Sequence, residues 1–144
     1  MKNKLFSIGL FIPFFFLAIS PDLPSAAPIK EFACIPTTTG SWTITYSQID
    51  PAPCGTMTIT ATYNGGFDPA PGDITITKIL NSNVGATPNP VVGSIPASTN
   101  NFTVGTMTFT NNTVNTQNFR LTASVTGGHT ITNPVKNTFI ETCL

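Results

Sequence analysis

Charge is what this sequence has least of. Its 144 residues carry six Lys or Arg, six Asp or Glu and a single histidine. Beyond position 27 the basic side chains are Lys30, Lys78, Arg120 and Lys136, set against Glu31, Asp50, Asp68, Asp73 and Glu141, a net charge of −1. No basic stripe exists, so nucleic acid has no electrostatic purchase. A Gly-rich phosphate loop and a GxSxG turn are both missing, which leaves phosphoryl and Ser-hydrolase chemistry without a motif. His129 stands alone after Gly127 and Gly128. Metal centres need three or four ligands and a triad needs an orienting acid, so His129 reads as a loop residue. No catalytic, cofactor-binding or metal-binding residue is assigned. Outside the first residues no segment shows a 3.6-residue apolar stripe, and helices are not expected.

The N-terminus does carry an apolar run. Lys2 and Lys4 precede Leu5 to Ile19, and the small-residue tail PSAA follows. That order reads as a secretory signal peptide over residues 1–27, cut after Ala27, although Pro28 beside that bond leaves the exact position open. The run is shorter than the roughly 20 residues a spanning helix needs. The expected location is therefore secreted or at the extracellular surface.

Threonine is abundant where charge is not. All 25 threonines lie after position 36, and most alternate with apolar residues. Trp42, Ile44 and Tyr46 alternate with Thr43 and Thr45, and Met57, Ile59, Ala61 and Tyr63 with Thr56, Thr58, Thr60 and Thr62. The pattern returns at Ile74 and Ile76, at Met107 and Phe109, and at Phe119, Leu121, Ala123 and Val125, with shorter pieces near Val91, Phe102, Ile131 and Phe139. Period two with β-branched residues means strands with one apolar face. About eight or nine of them, separated by Asn-, Gly- and Pro-rich turns, predict an all-β antiparallel sandwich or jelly roll over residues 41–144. Residues 28–40, with two prolines and three consecutive threonines, read as an extended N-terminal arm.

One turn occurs nearly twice, as DPAPCG before TMTIT and DPAPGD before ITIT. Proline cannot donate to a ladder, so both copies lie between strands and each relaunches one. Calcium would need six to eight oxygens, and FDPAPGD lacks the DxDxDG spacing, so Asp50, Asp68 and Asp73 read as turn initiators.

Three cysteines, Cys34, Cys54 and Cys143, enter an oxidising compartment. The odd count leaves at least one without an internal partner. Either one bridge closes internally, such as Cys54 with Cys143, leaving Cys34 free or modified, or Cys34 bridges to a neighbouring subunit. Asn101-Phe-Thr and Asn111-Asn-Thr are candidate N-glycosylation sites.

The order EFACIP, SWTITY, GTMTITATYNGGFDPAPGDITITKI and NTFIETC is similar to that of the jelly-roll subunits of bacterial endospore appendages. The resemblance implies a pilus-like fibre in which arms reach into neighbouring subunits, Cys34 being the arm cysteine and Cys143 the late-strand acceptor. Cys54 matches no family position, and a signal peptide and a single arm cysteine depart from the family pattern. The expected function is a secreted, non-enzymatic structural subunit that assembles into a fibre or coat. Its arm residues Ile29, Phe32 and Ile35 would add to a neighbour's sheet edge. The alternative is a monomeric adhesin module binding a surface glycan or receptor through TGGH at 126–129 and the loops around Asn101 and Asn111.

Overall fold

A computed structural model describes residues 38–50, 54–66 and 68–143. Within them the chain is all-β, with nine strands in the order β1 Ser41–Tyr46, β2 Gly55–Tyr63, β3 Asp73–Ile79, β4 Val84–Thr87, β5 Val91–Ser94, β6 Asn101–Asn111, β7 Gln117–Val125, β8 Thr130–Ile131 and β9 Val135–Ile140. They form a sandwich of a five-stranded sheet, β4-β6-β2-β1-β8, and a four-stranded sheet, β5-β3-β7-β9. All pairings are antiparallel except β1 with β8. The inner wiring, β1-β2-β6-β4 facing β3-β7-β9, is that of an immunoglobulin-type sandwich, with ABED in one sheet and CFG in the other. The strand beside β3 departs from that scheme, because β5 follows β4 in the chain.

Alternation decides which side chains go inside. Met57, Ile59, Ala61 and Tyr63 of β2 are buried, as are Ile74 and Ile76 of β3 and Phe119, Leu121 and Ala123 of β7. The resulting core has aromatic contacts in both halves. Trp42 meets Tyr63 at 4.8 Å and Phe102 edge-on at 5.5 Å, while Phe109 meets Phe119 at 4.9 Å. Such pairs contribute about 0.5–1.5 kcal/mol beyond their area.

Threonines line the outer face of the five-stranded sheet, and Thr75, Thr77 and Thr122 take the outward positions of the other. Registers place Thr45, Thr60 and Thr103 in one cross-strand row and Thr87, Thr108 and Thr56 in another. A β-bulge keeps this face uniform. In β6 the buried residues switch from Met107 and Phe109 to Val104, and the register against β2 slips between Ile59 and Thr60. Two residues oppose one at the bulge, so Thr103 and Thr106, three apart, both face outward.

The short β4 lies in the stretch NSNVGATPNP, which by composition reads as a turn. It has one large apolar residue, the buried Val84, and its pairing with β6 is fixed by the partner strand rather than by a pattern of its own. Cys54, at the start of β2, is disulfide-bonded to Cys143 beyond β9, closing 89 residues of chain and pinning the two sheets together. Replacing both cysteines with alanine is expected to lower stability by about 2–5 kcal/mol, as read by urea unfolding.

Candidate functional site

Two loops that looked like ligand sites prove to be structural. His129 lies in the loop between β7 and β8, as read from the sequence, but it is only 7% exposed and is held edge-on by Trp42 and Tyr63. Its Nδ1 accepts from the Gly40 N–H at 3.2 Å and its Nε2 faces the Ala70 carbonyl at 2.9 Å, which fixes the neutral tautomer with the proton on Nε2. Gly127 and Gly128, both at positive φ, make the turn that aims the ring inward. The second DPAP turn is the other half of this clamp. Asp68 adopts positive φ, accepts the Ser98 hydroxyl on Oδ1 at 2.8 Å and takes the Thr38 hydroxyl on its carbonyl at 2.6 Å. The Ala70 N–H donates to the Thr38 carbonyl at 3.0 Å. Thr38 to Gly40, the root of the arm, is thereby fastened to the sandwich.

The first DPAP copy does different work. Asp50 exchanges two backbone hydrogen bonds with Thr56 at 2.9 Å, closing a turn whose residues 51–53 lie outside the described part. Asp73 Oδ1 accepts from Ser94 at 2.6 Å. Asp50 and Asp68 serve separate turns, whereas Asp73, read as a turn initiator, is the first residue of β3 and bonds across the ladder to Ser94 of β5; among the described residues no group of three His, Cys, Asp or Glu could hold a metal.

Asn111 is likewise engaged within the fold. Only 8% exposed, it donates its Nδ2 protons to the Asn115 and Glu141 carbonyls and accepts from Thr113 on Oδ1. A glycan on that nitrogen would replace its hydrogen bonds to the Asn115 and Glu141 carbonyls. Asn101 of the first is exposed. Cys143 is bonded to Cys54, so the acceptor role implied for it by resemblance is filled within the subunit. Cys34, Ile29, Phe32 and Ile35 lie outside the described residues.

The surface that remains unexplained runs along one flank of the sandwich, where β1, beyond the two residues paired with β8, and β9 are the neighbouring edges of the two sheets. Along β1 the even residues point their backbone groups away from β2. The Trp42 carbonyl accepts from the Thr132 N–H at 3.0 Å. The Asn133 amide then imitates a strand, accepting from the Ile44 N–H at 2.8 Å and donating to the Ile44 carbonyl at 2.7 Å. This cover stops there. At Tyr46 the outward backbone groups have no partner among the described residues, and neither does the outer edge of β9.

Between these two edges lies a groove of about 360 Å³, walled by Tyr46, Ile49 and Met57 on one side and Phe139 and Ile140 on the other, with Lys136 and Glu141 at the rim. That volume falls within the roughly 300–1,000 Å³ of ligand pockets. Phe139 leaves 57% of its surface exposed. The Tyr46 hydroxyl is buried with no hydrogen-bond partner among the described residues. Burial pushes its phenol up to about 12. The groove offers apolar surface and unpaired backbone groups, which suit an extended peptide. Composition alone did not point here, because the groove is assembled from β1 and β9, about 90 residues apart in the chain.

Comparison with protein-family models, with curated proteins and with solved structures finds no match.

Two outcomes follow from this geometry. Changing Tyr46 to Phe removes an unsatisfied buried hydroxyl and is expected to raise stability by up to about 1 kcal/mol in urea unfolding. The fold favours the neutral phenol, so its contribution is intact below about pH 10 and is lost as pH rises towards 12. In alkaline unfolding series the wild type should show that loss and Tyr46→Phe should lack it. Changing His129 to Phe keeps an aromatic ring but strands the Gly40 N–H and the Ala70 carbonyl, and is expected to cost about 1–3 kcal/mol.

Proposed function

We propose that this protein is a secreted, non-enzymatic structural subunit that assembles into an extracellular fibre or coat by edge-strand addition. The observation that carries this reading is the pair of uncovered edges, the β1 tail and β9, side by side with an apolar groove between them. Uncovered edges invite strand pairing, and an added strand supplies main-chain hydrogen bonds while its side chains enter apolar pockets. The threonine face supports the same reading. Uncharged hydroxyl rows can pack against a like face without separating or desolvating charge, whereas a dispersed soluble domain keeps roughly 25–35% of its surface charged. Of the residues that a glycan- or receptor-binding module would use, His129 and Asn111 spend their polar atoms on internal hydrogen bonds, while Asn101 is exposed.

The internal Cys54–Cys143 bond limits any covalent role. One thiol per subunit remains, Cys34. A single thiol joins subunits in pairs only, so a covalent polymer cannot form through disulfides alone. Polymerisation in this reading is therefore non-covalent, through strand addition.

Deleting residues 28–37 is expected to leave a folded domain, because the whole described core lies after them, and to abolish fibres or sedimentable assemblies in electron microscopy and ultracentrifugation. Assemblies formed by the truncated chain would overturn the arm-dependent mechanism. On denaturing gels without reductant the intact chain should show monomer and dimer, and Cys34→Ser monomer alone.

A further inference from the structure

We propose that the outer face of the four-stranded sheet carries a binding site, centred on Arg120, for a carboxylate-bearing sugar: a uronic or sialic acid unit of an extracellular glycan. The inference goes beyond the structural-subunit reading and does not rest on assembly. Asn118 and Arg120 are outward residues of β7, and the register sets them opposite Phe139 and Asn137 of β9. Leu80, just past β3, closes the other side, so a hollow of about 390 Å³ lies over β7 with an apolar wall at each flank. Leu80 and Phe139 leave 60% and 57% of their surfaces exposed.

Leu80 is displayed at a conformational cost. It adopts φ 61° and Asn81 φ 59°, the left-handed region that a bulky apolar residue seldom enters. Asn81 holds the turn there, its Nδ2 donating to the Gln117 Oε1 and the Asn118 carbonyl at 2.9 Å and its Oδ1 accepting from the Asn83 N–H at 3.0 Å. Core packing does not explain this conformation, because Leu80 stands outside the core. Strain held in place by its surroundings concentrates at ligand sites.

Between the two walls the polar groups are open to a ligand. Arg120 Nε donates to Asn137 Oδ1 at 2.9 Å, which orients the guanidinium and leaves its two Nη groups, and the Nδ2 groups of Asn118 and Asn137, without a partner among the described residues. No carboxylate pairs with Arg120 there. Two Nη groups form a fork that fits a carboxylate through two parallel hydrogen bonds. Lys78 Nζ is engaged by the Asn81 carbonyl, so a single cation faces the hollow, which suits one carboxylate per sugar better than a phosphate dianion or a densely sulfated chain. Backbone pairing with a peptide is not on offer over β7, since its two sides are taken by β3 and β9. Side chains alone must recognise the ligand, and this set matches a sugar acid. The guanidinium takes the carboxylate, the amides meet hydroxyls, and the Phe139 ring packs against a C–H face.

The test exposes full-length secreted protein to an immobilised panel of uronic-acid, sialic-acid, sulfated and neutral glycans, then titrates it calorimetrically with galacturonic-acid oligomers and with sialyllactose. The expected result is binding to one carboxylate-bearing class, lost when the carboxyl is reduced to the alcohol. Arg120→Gln is expected to weaken that binding about 10- to 100-fold, as loss of a charge-assisted contact does. Asn118→Asp, at an exposed position, leaves Arg120 in place and sets a like charge in the hollow, and should weaken binding as well. Val92→Ala, exposed on β5 of the same sheet, should change nothing. Urea unfolding checks that each variant is folded. Retention of no carboxylate-bearing glycan would overturn the site. So would equal retention of sulfated chains, which marks charge alone, or binding that both Arg120→Gln and Asn118→Asp leave unchanged. Sedimentation of the same preparations reports assembly separately, so failure of either reading is distinguishable from failure of the other.

Discussion

A sheet that does not close into a barrel leaves a row of unpaired backbone groups at each edge, and a two-sheet sandwich has four such rows to manage. Much of this structure can be understood as four different treatments of that problem. The β4 edge is four residues long and runs directly into a segment with Pro88 and Pro90, which have no N–H to offer. The β5 edge is also four residues. The β1 edge is covered by the two-residue β8 and then by the side chain of Asn133, whose amide carries one donor and one acceptor and so replaces a residue of a partner strand. Only at the tail of β1 and along β9 does the cover run out, and there the surface is apolar. Two edges are shielded by brevity and the β1 edge by substitute partners as far as Ile44, and the groove lies where its uncovered tail meets β9.

The sandwich itself was legible in the sequence because a period of two is a local signal. Trp42, Ile44, Met57, Ile59, Ile74, Ile76 and Leu121 are each bracketed by polar neighbours, and each is buried. The bulge also left a trace, since Thr103 and Thr106 are three apart on either side of Val104 and Gly105 while every other outward pair is two apart. Strand β4 left none. Val84 is one apolar residue among Asn, Ser, Gly and Thr, and what makes it a strand is β6 alongside it.

The candidate site was less legible for the same reason in stronger form. The loop position of His129 was legible but its burial was not, because its partners, Gly40 and Ala70, lie 89 and 59 residues away and nothing local marks a histidine as buried. Asn111 matches a glycosylation triplet, yet the same threonine that completes the triplet, Thr113, is bonded to the Asn111 side-chain oxygen. A motif read along the chain cannot show that its atoms are already engaged. The aspartates of the two DPAP turns illustrate the converse. Asp50 of the first copy bonds through its backbone to Thr56, whereas the second copy seats Thr38 to Gly40, because Thr38, Ser98 and His129 lie close to it.

The disulfide and the clamp act on one quantity, the rigidity of the two ends of the subunit. Cys54–Cys143 fixes the chain just beyond β9, and His129 with Asp68 fixes the root of the arm. In the fibre proposed above, load would pass through subunit contacts, and segments tied to the core in this way would resist fraying. Pairing Cys34 with Cys34 of another copy would be a like-to-like contact with twofold symmetry, which closes at two subunits. Growth of a fibre needs a contact of unlike surfaces, which continues, so a disulfide-linked pair would be an end point rather than a step of the proposed assembly.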